Sequence, residues 1–458
     1  MLNTQNELDQ WEQILRARFG LSGLRAEQVS ILSLLRKGHS VIGALPTGHG
    51  KSICYQFPCV AWSWRVLVVV PLLSLIEDQR ARAEALGLRV FVVGPENKNP
   101  ELAEWDLAFV SPERLVIWMR SGLWQRLLRS LSLLVFDEAH CLVEWRGFRP
   151  LFLELDQRIS GAGSNLPPLL LLSATLSATN IEILLASWRR EFIGVRGQIG
   201  RENLYLEVAA VETEAERWLH LVAHLRGLVS PNAAIVYCAT RRESEEVAVF
   251  LQTAGIEAVA YHAGLNPLRR RRLEKAFRAG RLRVVSCTSA FGLGMDYPWV
   301  ERILHWGTPS DLNSYWQEVG RAGRAGRAAF CILLWLRSDF FCWRDRLRKV
   351  PAEDLKMKWN ELERMAEFLR TEACRKQWIA LNQGWEIPPC GNCDRCLLKK
   401  GYLRAFPWQL LQRKNSPAWW LSWEIRSIYG HWPESRWLRD SCEHAEGEYC
   451  QALSNPLD

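Results

Sequence analysis

Short apolar runs without polar alternation punctuate most of the chain. In the first half they are Val41–Ala44, Val66–Val70, Leu107–Val110, Leu133–Phe136 and Leu169–Leu172, each soon followed by a turn or by polar residues. A strand with one wet face alternates apolar and polar positions. A run that does not alternate predicts a strand covered on both faces, as in a parallel sheet between helices. A second series follows at Ala234–Cys238, Ala258–Tyr261, Val284–Cys287, Ile303–Trp306 and Phe330–Trp335. With amphipathic stretches between the runs, the pattern predicts two α/β domains in tandem. The Gly-rich, weakly periodic stretch from Gly194 to Arg201 is expected to be the linker. Beyond about residue 345 the pattern changes, and Leu355, Trp359, Leu362, Met365 and Leu369 predict an amphipathic helix. The expected domains are therefore 1–200, 201–345, 346–400 and a short Trp-rich tail, 401–458. No apolar run approaches the roughly 18 residues of a membrane span. The N-terminal residues carry no basic segment followed by an apolar core. The expectation is a soluble protein of the cytoplasm or nucleoid, with no membrane partner.

The 58 Lys and Arg against 50 Asp and Glu leave a net charge of +8. That mild excess is compatible with a polyanionic partner. The last 58 residues hold six basic and seven acidic groups, so the excess lies in the first 400. Only 11 of the basic residues are Lys, which gives weight to a Lys at a motif position. Nine of the 13 cysteines, at 54, 59, 141, 238, 287, 331, 342, 442 and 450, are scattered, mostly in apolar runs, and are expected to be small core residues or free thiols. The other four form a pattern. Cys390-Gly-Asn-Cys393-Asp-Arg-Cys396, with Cys374 upstream, supplies four thiolates for a closed tetrahedral Zn²⁺ site. Four cysteines also suit an iron–sulfur cluster.

Three motifs carry chemistry. Pro46-Thr47-Gly48-His49-Gly50-Lys51-Ser52 follows an apolar run and has the form of a phosphate loop. Its glycines let backbone N–H groups approach phosphate oxygens, Lys51 adds a compact positive charge, and the Ser52 hydroxyl can ligate Mg²⁺. The strict pattern has Gly where this chain has Leu45. Next, the run from Leu133 ends in Asp137-Glu138-Ala139-His140. Asp137 is expected to hold Mg²⁺, Glu138 to orient or deprotonate the attacking water, and His140 to relay. Last, Gln317-Glu-Val-Gly-Arg321-Ala-Gly-Arg324 places two arginines three apart, expected on one helix face and suited to phosphate oxygens.

These motifs, in this order, resemble the RecQ family of superfamily 2 DNA helicases across residues 10–400. Phe19-Gly20 with Arg25 and Gln28 is similar to that family's adenine-recognition motif. Val70-Pro-Leu-Leu-Ser74-Leu75 with Asp78-Gln79 resembles the next motif, on the DNA side. Ser111–Leu115, Ser173-Ala174-Thr175, Tyr237–Arg241, Tyr261-His262-Ala-Gly264-Leu265 and the 290–296 segment resemble others. The resemblance implies two RecA-like domains with parallel sheets, a small helical zinc-binding module, and ATP, Mg²⁺ and Zn²⁺ as cofactors. It also implies 3′-to-5′ movement on single-stranded DNA, with forked or 3′-tailed duplexes as substrates and repair proteins as partners. Arg25, Gln28, Thr47, Gly48, His49, Gly50, Lys51 and Ser52 would bind the nucleotide. Trp145, Phe148 and Arg149, in a loop one residue shorter than the family's, would couple DNA to hydrolysis, with Ser74 and His262 on the DNA path.

The chain departs from the family at Leu21, where an aromatic usually stacks on adenine. It also departs at its short end, where 58 residues leave no room for a complete winged helix and an accessory helical domain. Arg269–Arg272 point in different directions on a helix and are expected to be a solvated face. Cys442, His444 and Cys450 are too loosely spaced for a second metal site. The alternatives to a DNA helicase are a superfamily 2 RNA helicase and a non-catalytic DNA-binding or annealing protein.

Overall fold

The computed structural model describes residues 2–400 except 47, 72, 94–103, 145–150, 163–164, 175–177, 189, 198–200, 227, 293–296, 325, 337, 340–342, 344–346, 348–349 and 351. The chain divides at Gly200 and Arg201 into two compact units.

The first unit is built on a parallel sheet. Its described strands are β1 (Val41–Ala44), β2 (Val66–Val69), β3 (Val90–Val92), β4 (Leu107–Val110), β5 (Leu133–Asp137), β6 (Leu169–Ser173) and β7 (Ile193–Arg196). Their order is β3-β4-β2-β5-β6-β1-β7. Successive residues of the central strands enter opposite cores. Leu67, Val69, Leu134, Phe136 and Leu171 join one apolar cluster with Trp124 and Trp188. Val66, Val68, Leu133, Val135 and Leu170 join the other. Both faces are thus covered, which is why these runs do not alternate. The start of the expected linker needs correction: Gly194–Arg196 are the end of β7, which pairs in parallel with β1. This strand is at the sheet edge and half exposed, so it carries no apolar run to betray it.

The second unit repeats the plan. Its strands are β8 (Leu204–Ala210), β9 (Ala233–Cys238), β10 (Ala258–Tyr261), β11 (Val284–Cys287), β12 (Val300–Trp306) and β13 (Ala329–Trp335), in the order β10-β11-β9-β12-β13-β8. The helices Ala352–Arg370, Arg375–Asn382 and Asp394–Lys399 follow. They belong to this unit and attach at its edge strand β8. Val208 N–H donates to Asp394 Oδ2 at 3.2 Å, and Lys376 Nζ donates to the Arg201 carbonyl at 2.8 Å. Arg375, fully buried, grips Asp394 with two N–H groups, Nε to Oδ1 at 3.0 Å and Nη2 to Oδ2 at 2.9 Å. A sheet edge with unpaired backbone groups is thereby covered. Among the described residues no helix is long and apolar enough to cross a membrane.

Candidate functional site

In a parallel sheet all strands point the same way, so their carboxyl ends share one edge, where ligands bind. In the first unit β5, β6 and β1 are neighbours there, with Asp137 beside Leu172 and Ser173 beside Ala44. The chain leaves β1 through Leu45, whose N–H donates to the Ser173 carbonyl at 2.9 Å. Leu45 is buried in the core, which explains how a side chain replaces the usual Gly at this position. The loop then turns through Gly48 and Gly50, both with positive φ, and enters the helix Ile53–Trp62. A loop that leads into a helix N-terminus in this way is where backbone N–H groups and the helix dipole favour an anion.

Gln28 braces this loop. Its Nε2 donates to the His49 carbonyl at 2.7 Å and the Gly50 carbonyl at 3.2 Å, while its Oε1 accepts from Arg25 N–H at 2.9 Å. A Cβ at residue 50 would lie 2.9 Å from Gln28 Nε2, so only Gly fits. Of the two residues read as adenine-recognising, Gln28 is therefore also the clamp of the phosphate loop, held in turn by the Arg25 N–H.

Lys51 Nζ donates to Glu138 Oε1 at 2.8 Å. Glu138 has φ +51, a left-handed conformation rare for a side chain of this size, and strain of this kind concentrates at functional sites. Asp137 is buried, and burial pushes its carboxyl up to about 6; Lys51 opposes the shift and Glu138 adds to it. His140 Nδ1 lies 2.9 Å from Ser173 Oγ and 3.5 Å from Glu138 Oε2. Ser173 thus joins the expected set as a partner of His140. Tyr55, buried beside Asp137 with its phenol raised well above the ordinary range by burial, is a neighbour that the motif pattern did not reveal.

The second unit corrects one expectation. The helix Leu312–Val319 carries Gln317 but ends at Val319, so Arg321 and Arg324 occupy the following turns and do not share a helix face. The helix gives way to turns at Gly320, and at Gly323, with φ +57, a Cβ would lie 2.5 Å from Asn203 Nδ2. Arg201 Nη1 donates to the Gly320 carbonyl at 3.1 Å, and Asn203 Nδ2 to the Gly323 carbonyl at 2.8 Å. These two residues shape the arginine turn, and no motif flagged them. Arg321 is buried and donates to the Gly292 carbonyl, whereas Arg324 is half-buried. An open cleft at the carboxyl ends of β9, β11 and β12 is lined by Tyr237, Cys238, Thr288, Thr308, Ser314 and Trp343. His262 Nε2 pairs with Glu245 Oε1 at 2.9 Å.

The four clustered cysteines converge, with all sulfurs within 4.8 Å of one another. Cys374 and Cys393 sulfurs are 3.9 Å apart, and those of Cys390 and Cys396 4.0 Å. A Zn–S bond of about 2.3 Å places tetrahedral sulfurs about 3.8 Å apart, so the set fits one tetrahedral ion. Backbone N–H groups already point at the sulfurs, Cys390 N–H to Cys374 at 3.2 Å and Arg375 N–H to Cys393 at 3.4 Å. Of the scattered cysteines, 54, 59, 141, 238, 287 and 331 are buried, as expected of core residues. Thr47, Trp145, Phe148, Arg149, Cys342 and the tail with Cys442, His444 and Cys450 lie outside the described residues, as does the side chain of Ser74.

A phosphate loop after β1, an Asp-Glu pair on β5 and a second parallel α/β unit with an arginine turn define a helicase-type nucleotide-binding core. Residues 25–184 match the DEAD/DEAH box helicase family, and residues 219–326 match the helicase conserved C-terminal domain. The chain is 29% identical over 402 residues to the ATP-dependent DNA helicase RecQ of Haemophilus influenzae, covering 84% of this chain and 63% of that protein. It is 32% identical over 372 residues to the Bacillus subtilis protein named "Probable ATP-dependent DNA helicase RecS", covering 78% and 73%. The chain belongs to the RecQ family of superfamily 2 helicases. It spans just under two thirds of the length of the RecQ relatives from Haemophilus, Bacillus and Pasteurella. Its fold is shared with the DNA-bound helicase MrfA, at a TM-score of 0.62 and 18% identity, over 86% of this chain and 57% of that one.

Proposed function

We propose that this chain is an ATP-dependent 3′-to-5′ DNA helicase, coupling ATP hydrolysis to movement on single-stranded DNA in repair or recombination. The observation that carries the reading is the contact between Lys51 and Glu138, on a phosphate loop and an adjoining strand end, with Asp137 beside them. In this reading the loop N–H groups and Lys51 hold the phosphates of ATP, and Arg25 and Gln28 hold its base. Ser52 and Asp137 would hold Mg²⁺, which neutralises phosphate charge when bound. Glu138 takes the proton of the attacking water as the bond between the γ-phosphorus and its bridging oxygen breaks. His140, tied to Ser173, keeps the Glu138 carboxylate oriented. Gln317, Arg321 and Arg324 answer to the transferred phosphoryl group, Arg321 after leaving the Gly292 carbonyl. Trp145, Phe148, Arg149, Ser74, His262 and the cleft by Thr288 serve the single strand. The four cysteines hold one structural Zn²⁺.

The test is unwinding of 3′-tailed, 5′-tailed and forked duplexes with ATP, beside ATPase assays with single-stranded DNA and RNA. Unwinding is expected only with a 3′ tail or fork, and DNA is expected to stimulate hydrolysis far more than RNA. Stronger stimulation by RNA would make this an RNA helicase, and no ATPase activity would make it a binding module.

A pH dependence follows from Asp137. Its carboxyl is raised to about 6, so it is protonated below that pH and ionised above it. Only the carboxylate ligates a cation, so the Mg²⁺ concentration for half-maximal ATPase should rise up to about tenfold per pH unit below 6 and stay level above 7. The check is a Mg²⁺ titration at several pH values, corrected for protonation of ATP itself. A requirement that stays level down to pH 5 would remove Asp137 from the metal site.

A further inference from the structure

The helix Pro267–Arg278 carries six basic residues, Arg269, Arg270, Arg271, Arg272, Lys275 and Arg278, against the single acid Glu274. At 100° per residue, Arg269, Arg271, Arg272, Lys275 and Arg278 spread over the outer half of the helix, and all five are exposed. Phe277 anchors the inner side in the core. Arg270 turns inward toward Tyr261 and Glu274, and the Tyr261 hydroxyl donates to Glu274, so the helix's only acid is engaged on the inner side. Arg269, Arg272 and Lys275 have no ion pair or hydrogen bond from their side chains among the described residues.

This arrangement works against the helix. Like charges three and four apart repel, and there is no acid in the first turn to complement the macrodipole. At Arg269, Arg272 and Lys275 the repulsion meets no compensating contact among the described residues, which marks a surface kept for something other than folding. The expectation that the arginine run is a solvated face holds for Arg269, Arg271 and Arg272, which are exposed, and fails for Arg270, which is half-buried; Lys275 and Arg278, one and two turns further on, extend the exposed basic face.

We propose that the outer face of Pro267–Arg278 docks the phosphate backbone of duplex DNA. Lys and Arg alike neutralise backbone phosphates and release their counterions, so the charge itself carries the contact. The face spans about 14 Å from Arg269 to Arg278, long enough to meet several phosphates. Surfaces that hold single strands interleave cations with aromatic platforms for bases, and this face has no aromatic residue. Protein interfaces need apolar or aromatic anchors at their centre, and this face offers only Leu268. A stacked duplex, presenting phosphates and hiding its bases, is the polyanion that remains. The surface does not depend on hydrolysis, so it can be tested without nucleotide.

The experiment is a titration of the full chain with blunt duplex DNA, nucleotide-free, at several salt concentrations. Replacing Arg269, Arg272 and Lys275 together by Gln should weaken duplex binding roughly tenfold and lower the slope of log K against log salt by about three. Affinity for oligo-dT and ATPase activity at saturating single-stranded DNA should be unchanged. The charge-retaining pair Arg269→Lys and Arg272→Lys should stay within twofold of the unsubstituted chain, which guards against an effect of packing. Duplex affinity unchanged in the triple variant would overturn the proposal, and an equal loss on oligo-dT would assign the face to the single strand instead. Equal loss in the charge-retaining pair would likewise refute a phosphate contact.

Discussion

Glu138→Gln is expected to hydrolyse ATP about 10²- to 10⁴-fold more slowly while binding it at least as tightly as the unsubstituted chain. The amide keeps the size and reach of the carboxylate but cannot accept the proton of water. At φ +51 the backbone cost is the same for Gln as for Glu, so the fold has no reason to change. The binding half of the expectation comes from the ion pair. Lys51 Nζ sits 2.8 Å from Glu138 Oε1, with both side chains largely shielded from water. An incoming phosphate must draw Lys51 from that carboxylate, and Gln holds it less strongly. The gain is about 1 kcal/mol at most, or a few-fold in affinity. Lys51→Ala should do the reverse and lose binding first. Equilibrium binding of a fluorescent nucleotide, followed by single-turnover hydrolysis, separates the two steps. Hydrolysis by Glu138→Gln at the normal rate would strip Glu138 of its role.

The second large effect is at the cysteines. Elemental analysis should find one zinc per chain, and Cys393→Ser should abolish it together with the ordered module. Cys393 is fully buried, and it both precedes the helix Asp394–Lys399 and accepts the Arg375 N–H. The thiolates converge only in the folded chain, so metal binding contributes to folding, with about 10–16 kcal/mol seen in zinc-finger peptides. That is as large as the whole stability of a typical domain, about 5–15 kcal/mol. Damage should reach the second unit through Arg375, Asp394 and Val208 at β8, lowering its melting temperature and soluble yield. Nucleotide binding by the phosphate loop, in the first unit, should suffer less. A chain that holds iron, or no metal, would refute the assignment, as would a Cys393→Ser variant of normal stability and zinc content.

Legibility followed burial. The central strands β1, β2, β4, β5 and β6 announce themselves because both of their faces are covered, which forces unbroken apolar runs. The edge strands β3 and β7 carry no such run because they are largely uncovered, and in β8, which is buried, Glu207 interrupts the run. That is how the end of β7 came to be read as a linker. Motif residues were legible where chemistry dictates residue type and spacing. Lys51, Asp137 and Glu138 are brought to one sheet edge, and the four cysteines to within 4.8 Å.

What the order of residues determines by itself is the repeated α/β plan, the phosphate loop, the carboxylate pair and the cluster of four cysteines, because each follows from local spacing or from the period of burial. Tertiary structure decided the rest. It ended the helix at Val319 and put Arg321 against Gly292, with Arg201 and Asn203 holding the Gly320 and Gly323 carbonyls of the turn from the far end of the unit's sequence. It made Gln28 the clamp of a loop 21 residues away and paired His140 with Ser173 across 33 residues. Contacts between distant positions depend on how strands are ordered in the sheet, and strand order leaves no periodic trace along the chain.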